Sequence, residues 1–151
     1  MKLMLRRALV VGLLLLGTSA LHAGDALLTM LDPYFRIQAA LSDDKTDGVM
    51  ADAAAIATAA KALGEPGAPI VKAADVLAHA ADLGAARMAF GELSDAVIAF
   101  SESTKADAGE GVNAMYCPMV KKQWLQKGEK ISNPYYGKAM STCGEKKKKT
   151  A

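Results

Sequence analysis

The sequence predicts an all-α fold: an antiparallel bundle of about four helices, with an irregular C-terminal hook carrying cysteine, methionine and aromatic residues packed on it. Three observations predict it. Between Asp25 and Lys105 apolar residues recur at spacings of three and four, strand-like runs of β-branched and aromatic residues are scarce, and turn residues cut the stretch into helix-length pieces.

Asp32 followed by Pro33 reads as an N-cap with proline at the first helical position, opening a helix through Tyr34, Phe35, Ile37 and Leu41. Ser42, Asp43 and Asp44 stop it, the two aspartates forming a solvated corner. Asp47 is suited to cap a second helix, in which Val49, Ala53, Ile56, Ala60 and Leu63 share a face until Gly64, Pro66, Gly67 and Pro69 break it. A third helix begins near Pro69 and carries Ile70, Ala74, Leu77 and Ala81, with His79 off that line; it bends or ends near Gly84. The fourth has the most regular stripe, Leu83, Ala86, Phe90, Leu93, Val97 and Phe100, with Arg87 and Glu92 pairing at its rim.

Past Asp107 the pattern changes. Gly109, Gly111, Gly128, Gly137 and Gly144, with Pro118 and Pro134, punctuate a segment that no long helix can use. It holds four of the eight aromatics (Tyr116, Trp124, Tyr135, Tyr136), both cysteines, and Met115, Met119 and Met140. A disordered tail is poor in such residues, so the segment reads as a compact hook with a short helix or hairpin inside it.

The N-terminus places Lys2, Arg6 and Arg7 before an uncharged apolar run from Ala8 to Leu16 and small residues at Gly17, Thr18, Ser19 and Ala20. This is the layout of a secretory signal, with cleavage after Ala20 or, preferred here, after Ala23. The run is shorter than the roughly 20 residues a membrane-spanning helix needs, so no stable membrane anchor is expected after cleavage. The expected organisation is a signal peptide over residues 1–23, a bundle over 24–108, a hook over 109–145 and a basic tail over 146–151. The expected location is the periplasm.

Charge narrows the partners. Over 151 residues 18 basic and 16 acidic side chains give a net charge of +2, too small for the footprint of a nucleic-acid binder. Removing Lys2, Arg6 and Arg7 leaves 15 basic against 16 acidic residues, a net charge of −1, with four of the basic ones gathered as Lys146 to Lys149. That run reads as a solvated end.

The chemistry concentrates in sulfur. Met115-Tyr116-Cys117-Pro118-Met119 sets a thiol between two thioethers, and Met140-Ser141-Thr142-Cys143-Gly144 repeats the combination. Thiolate and thioether are soft donors that select Cu(I) over hard cations. A hook that brings Cys117 to Cys143 can complete a site with Met119 or Met140; His79 is a second-rank ligand. Two cysteines in an exported chain most often form a disulfide, here closing 26 positions, a staple of about 3 kcal/mol, and two free buried thiols are the third state open to them. No enzyme is expected. Gly-x-Ser-x-Gly, a Gly-rich phosphate loop and His-Glu-x-x-His are all missing from the sequence.

Tyr34-Phe35-Arg36-Ile37-Gln38-Ala39-Ala40-Leu41 with Asp43-Asp44, then Ala86-Arg87-Met88-Ala89-Phe90-Gly91-Glu92-Leu93-Ser94, then Tyr116-Cys117-Pro118-Met119, Trp124-Leu125, Asn133-Pro134-Tyr135-Tyr136-Gly137-Lys138-Ala139-Met140 and Cys143-Gly144 together resemble one family. It is a bacterial family of exported domains of unknown function, found alone or fused to periplasmic adaptor (membrane fusion) subunits of copper and silver efflux systems. The resemblance implies a periplasmic helical bundle handling heavy metal, with copper as Cu(I) and an efflux adaptor or other envelope protein as partner. By position Cys117, Met119, Met140 and Cys143 match its sulfur-bearing motifs, and Trp124, Asn133, Pro134, Tyr135 and Gly137 match positions of structural character. A disulfide-closed interaction module of the envelope, using Trp124, Tyr135 and Tyr136, is the competing expectation.

Overall fold

The computed structural model describes the backbone of residues 16–147 and the side chains of residues 23–147. The first part of the expected signal peptide and the end of the expected basic tail lie outside the described residues.

Helix α1 spans Leu16–Ser42, α2 Val49–Lys61, α3 Ala68–Ala78 and α4 Leu83–Thr104. Most of each expected helical face is buried: Val49, Ala53, Ile56 and Ala60 on α2, Ile70, Ala74 and Leu77 on α3, and Ala86, Phe90, Leu93, Val97 and Phe100 on α4, whereas Leu63 and Leu83 are half-buried and Ala81 is exposed. Each helix packs on the next, and α1 also meets α4.

Three boundaries differ from expectation: α3 ends at Ala78 rather than near Gly84, and two others lie at the start of a helix. Asp32 and Pro33 do not open a helix; both lie inside α1. Pro33 removes a backbone donor at a cost of about 3 kcal/mol, but Leu27, Met30 and Leu31 upstream and Tyr34 downstream are all buried on the same helix. At about 1.5–3 kcal/mol for each large apolar side chain, that face outweighs the proline. Nor does Asp47 cap α2. Gly48, in the left-handed region at φ 76, holds that position without a side-chain bond, and the side-chain cap belongs instead to Asp82, which accepts from Ala85 N at the start of α4.

The all-α expectation is overturned by the segment after α4, which builds a three-stranded antiparallel sheet and makes the fold mixed α/β. Strand β1 (Val112–Cys117) and strand β2 (Lys122–Lys127) form a hairpin in which Met115 faces Trp124 and Cys117 faces Lys122. Strand β3 (Glu145–Lys146) returns along the other side of β1, so the order is β2-β1-β3. The strands form because their backbone groups pair with one another while one face, Met115, Cys117 and Trp124, enters the core shared with the helices. Strand β2 lies against α4 and α1.

The sheet is fastened to the bundle by polar groups inside the apolar contact. Tyr34 Oη on α1 is 2.6 Å from Ser94 Oγ on α4 and accepts from Leu125 N on β2 at 3.0 Å. Burial pushes the Tyr34 hydroxyl far above the usual tyrosine range, so it stays a neutral donor and acceptor. Around it Tyr34, Phe90, Tyr135 and Trp124 form a chain of ring contacts with centroids 5.0–6.1 Å apart.

Charged residues take partners other than those expected. Arg87 and Glu92 do not pair with each other: Arg87 bonds Asp44, and Glu92 joins Asp95 in holding Lys122 Nζ at 2.7 and 2.6 Å. Asp43 and Asp44 are both exposed, as a solvated corner would be, but Asp44 is also ion-paired. The expected tail also begins too early, since Lys146 lies in β3 and binds Glu129, and Lys147 donates to Ala114 O and Gln123 Oε1.

Candidate metal centre

The sheet carries Cys117 at the end of β1, on the same face as Met115, and both are fully buried. A segment beginning with the residues after β2 then loops back over that face. It is held first by Gln126, whose Oε1 accepts from Trp124 Nε1 and Ser132 N and whose Nε2 donates to Lys130 O. Gln38 and Ser42, one turn apart on α1, both donate to Ser132 O, at 2.7 and 3.2 Å.

The segment next reaches Asn133, fully buried at 0% exposure. Its Oδ1 accepts from Tyr135 N at 2.7 Å and Tyr136 N at 3.2 Å, turning the chain sharply through Pro134. Its Nδ2 donates to Cys143 O at 2.6 Å and to Cys117 Sγ at 3.3 Å. The turn also meets the bundle through Arg87, which donates to Pro134 O and Leu41 O, each at 3.0 Å, while Asp44 accepts from Lys138 N. Tyr135 Oη donates to Gln123 O and closes the loop on β2.

A 3-10 turn, Gly137–Met140, and the bond from Cys143 N to Met140 O then deliver Cys143 beside Cys117. Both cysteines are free thiols, Cys117 buried and Cys143 half-buried. Burial, then the adjoining Cys117 sulfur, pushes the Cys143 thiol up. Gly144 follows at φ 152, where a Cβ would press on Trp124 Cη2 at 2.8 Å and on Tyr116 O.

Of the expected sulfur ligands the fold brings Cys117 and Cys143 together, and beside them it sets Asn133, which the sequence had offered only as a structural residue. Met119 is 60% exposed in the β1–β2 turn and Met140 38% exposed in the 3-10 turn. His79 stands exposed at the C-terminal cap of α3, its Nδ1 2.8 Å from Asp75 O. Tyr116 is half-buried on the opposite face of β1 from Cys117, Trp124, Pro134 and Tyr135 are buried, and Tyr136 is partly covered. Among the described residues no group of three or more His, Cys, Asp or Glu side chains is placed to hold a metal ion.

An open cleft of about 500 Å³ lies elsewhere, between the end of α4 and β1, walled by Ile98, Ser101, Val112, Ala114 and Leu125, and contains neither thiol. Sequence reasoning missed the residues that fasten the hook: Tyr34, Gln38, Asp44, Arg87, Ser94 and Gln126. The available signal was polarity inside an apolar stripe, as where Ser94 sits between Leu93 and Val97. Compared with family models, curated proteins and solved structures, the chain matches none.

Proposed function

We propose that this chain binds Cu(I) as cargo, at a two-sulfur site made by Cys117 and Cys143, and serves as a periplasmic accessory protein that buffers the metal or passes it to an efflux adaptor. The observation that carries the reading is the meeting of two cysteines 26 positions apart, one buried and one half-buried. Two soft sulfurs, with no third His, Cys or carboxylate placed beside them among the described residues, suit Cu(I) better than zinc, which takes four ligands in structural sites. Met140, three residues before Cys143, and Met119, two after Cys117, are exposed thioethers near the pair in sequence and supply transient donors for loading. No catalysis is involved.

The half-exposed Cys143 is the receiving ligand and the buried Cys117 the retaining one. Because the Cys143 thiol is pushed up, metal capture there displaces a proton, and uptake strengthens with pH. The test is an anaerobic titration of the reduced protein with Cu(I) against a chromogenic chelator. One equivalent retained by the wild type and lost in the Cys117→Ser, Cys143→Ser double variant is expected. Equal uptake by the two proteins overturns the reading. The adjacency also supports a second one, a disulfide staple in an envelope interaction module, for which thiol counts on protein taken directly from the periplasm are zero.

A further inference from the structure

Asn133 uses its full hydrogen-bonding capacity: two backbone N–H groups on Oδ1, and on Nδ2 one carbonyl and one sulfur. The N–H aimed at Cys117 Sγ therefore cannot turn away without breaking bonds to Tyr135, Tyr136 and Cys143. A buried donor in this position acts differently on the two redox states of the pair. A thiol or thiolate sulfur carries more electron density than a disulfide sulfur and is the better acceptor. The same bond thus stabilises the reduced pair more than the oxidised one.

We infer that Asn133 is a positioning residue that keeps Cys117 and Cys143 as a dithiol in an oxidising compartment. It does so through the fixed Nδ2–H···Sγ bond to Cys117 while its other N–H holds the Cys143 backbone. Its purpose rests on the Cu(I) reading above, because only the dithiol has sulfur charge to offer a metal. The neighbours agree with a rigid role. Asn133 is wholly enclosed, its carbonyl side sets the turn that carries the chain toward Cys143, and among the described residues every buried side-chain polar atom has a partner.

The couple is measured on metal-free protein in glutathione buffers. In the equilibrium, the protein disulfide and two glutathione thiols give the protein dithiol and one glutathione disulfide, with two electrons and two protons passing to Cys117 and Cys143. Asn133→Asp keeps the Oδ1 acceptor for Tyr135 and Tyr136 and removes the donor. Its equilibrium is expected to move about tenfold toward the disulfide, equivalent to about 30 mV. Tyr135→Phe, which loosens the hook at Gln123 O and leaves the Asn133 Nδ2 bonds in place, is expected to move the couple much less.

No shift in Asn133→Asp, or an equal shift in Tyr135→Phe, overturns the inference. A wild-type measurement covers the case in which the Asp variant does not fold. The two Asn133 Nδ2 protons are followed by NMR through oxidation, and the proton facing Cys117 is expected to move much further than the one facing Cys143 O. Equal movement overturns it as well. Since neither measurement contains copper, failure here removes the role of Asn133 and leaves the metal titration to judge the site.

Discussion

Arg87 and Asp44 form an ion pair that ties three parts of the chain at one point: α4, the turn after α1, and the hook, whose Pro134 carbonyl accepts a hydrogen bond from Arg87 Nε. The hydrogen bond from Arg87, opposed by desolvation and aided by the Lys138 N–H, holds the Asp44 carboxyl below the usual aspartate range. A carboxyl depressed by folding stabilises the fold above its unfolded value and loses that contribution as pH falls through the folded one. Wild type is therefore expected to melt above Asp44→Asn at neutral pH, with the gap closing at acid pH below the ordinary aspartate range. Melting curves of both proteins across pH check this, and a gap constant with pH refutes it.

Gly137 lies directly over that pair. Its φ is 54, and a Cβ built there would overlap Asp44 Oδ1 and Arg87 Nη2. Gly137→Ala adds left-handed strain to the steric conflict and is expected to cost about 2–4 kcal/mol by chemical denaturation. Gly128, also in the left-handed region at φ 77 but with open space around it, is the control. Gly128→Ala carries backbone strain alone and is expected to cost about half as much or less.

Tyr34→Phe removes one oxygen and leaves two groups, Ser94 Oγ and Leu125 N, short of a partner in the interior. A loss of about 1–3 kcal/mol is expected. In urea it is read as a lower midpoint at unchanged slope, because the surface exposed on unfolding is the same. A neutral substitution would mean that the hydroxyl does not fasten β2 to the helices.

The two thiols are expected to react in order. Cys143 is half-buried and Cys117 enclosed, so alkylation of reduced protein labels Cys143 about tenfold or more faster, and labelling of Cys117 waits for local opening of the hook. With the Cys143 thiol pushed up, its rate is also expected to keep climbing at pH values where an ordinary thiol has levelled off. Timed mass mapping of both positions tests the order and the pH course together.

The helices were legible because their evidence is local. Leu83 to Phe100 repeats an apolar residue every three or four positions, and five of its six stripe residues are buried. The sheet was not, for equally local reasons. Strand β2 reads Lys-Gln-Trp-Leu-Gln-Lys, without a β-branched residue, and β3 is two residues long. Their pairing depends on partners far along the chain, such as Tyr34 for Leu125 and Gln38 for Ser132, which no window of periodicity contains. Likewise the cysteines could be named as a pair from residue type, whereas the amide between them could not, since an asparagine before proline reads as a turn whether or not it also reaches sulfur. Pro33 misled for the opposite reason: its local signal is strong, and the apolar face of α1 overrides it.

The contact between Gly144 and Trp124 gives the molecule a built-in optical gauge. The chain has a single tryptophan, its indole is enclosed, and the residue following Cys143 rests against the ring's far edge. Whatever happens at Cys143, whether a metal arriving, a bond to Cys117 or the hook lifting away, must alter the packing or quenching of that one ring. Its steady-state fluorescence can thus follow loading, oxidation and detachment in the unlabelled protein, and distinguish a fast local event at the thiols from a slow global one.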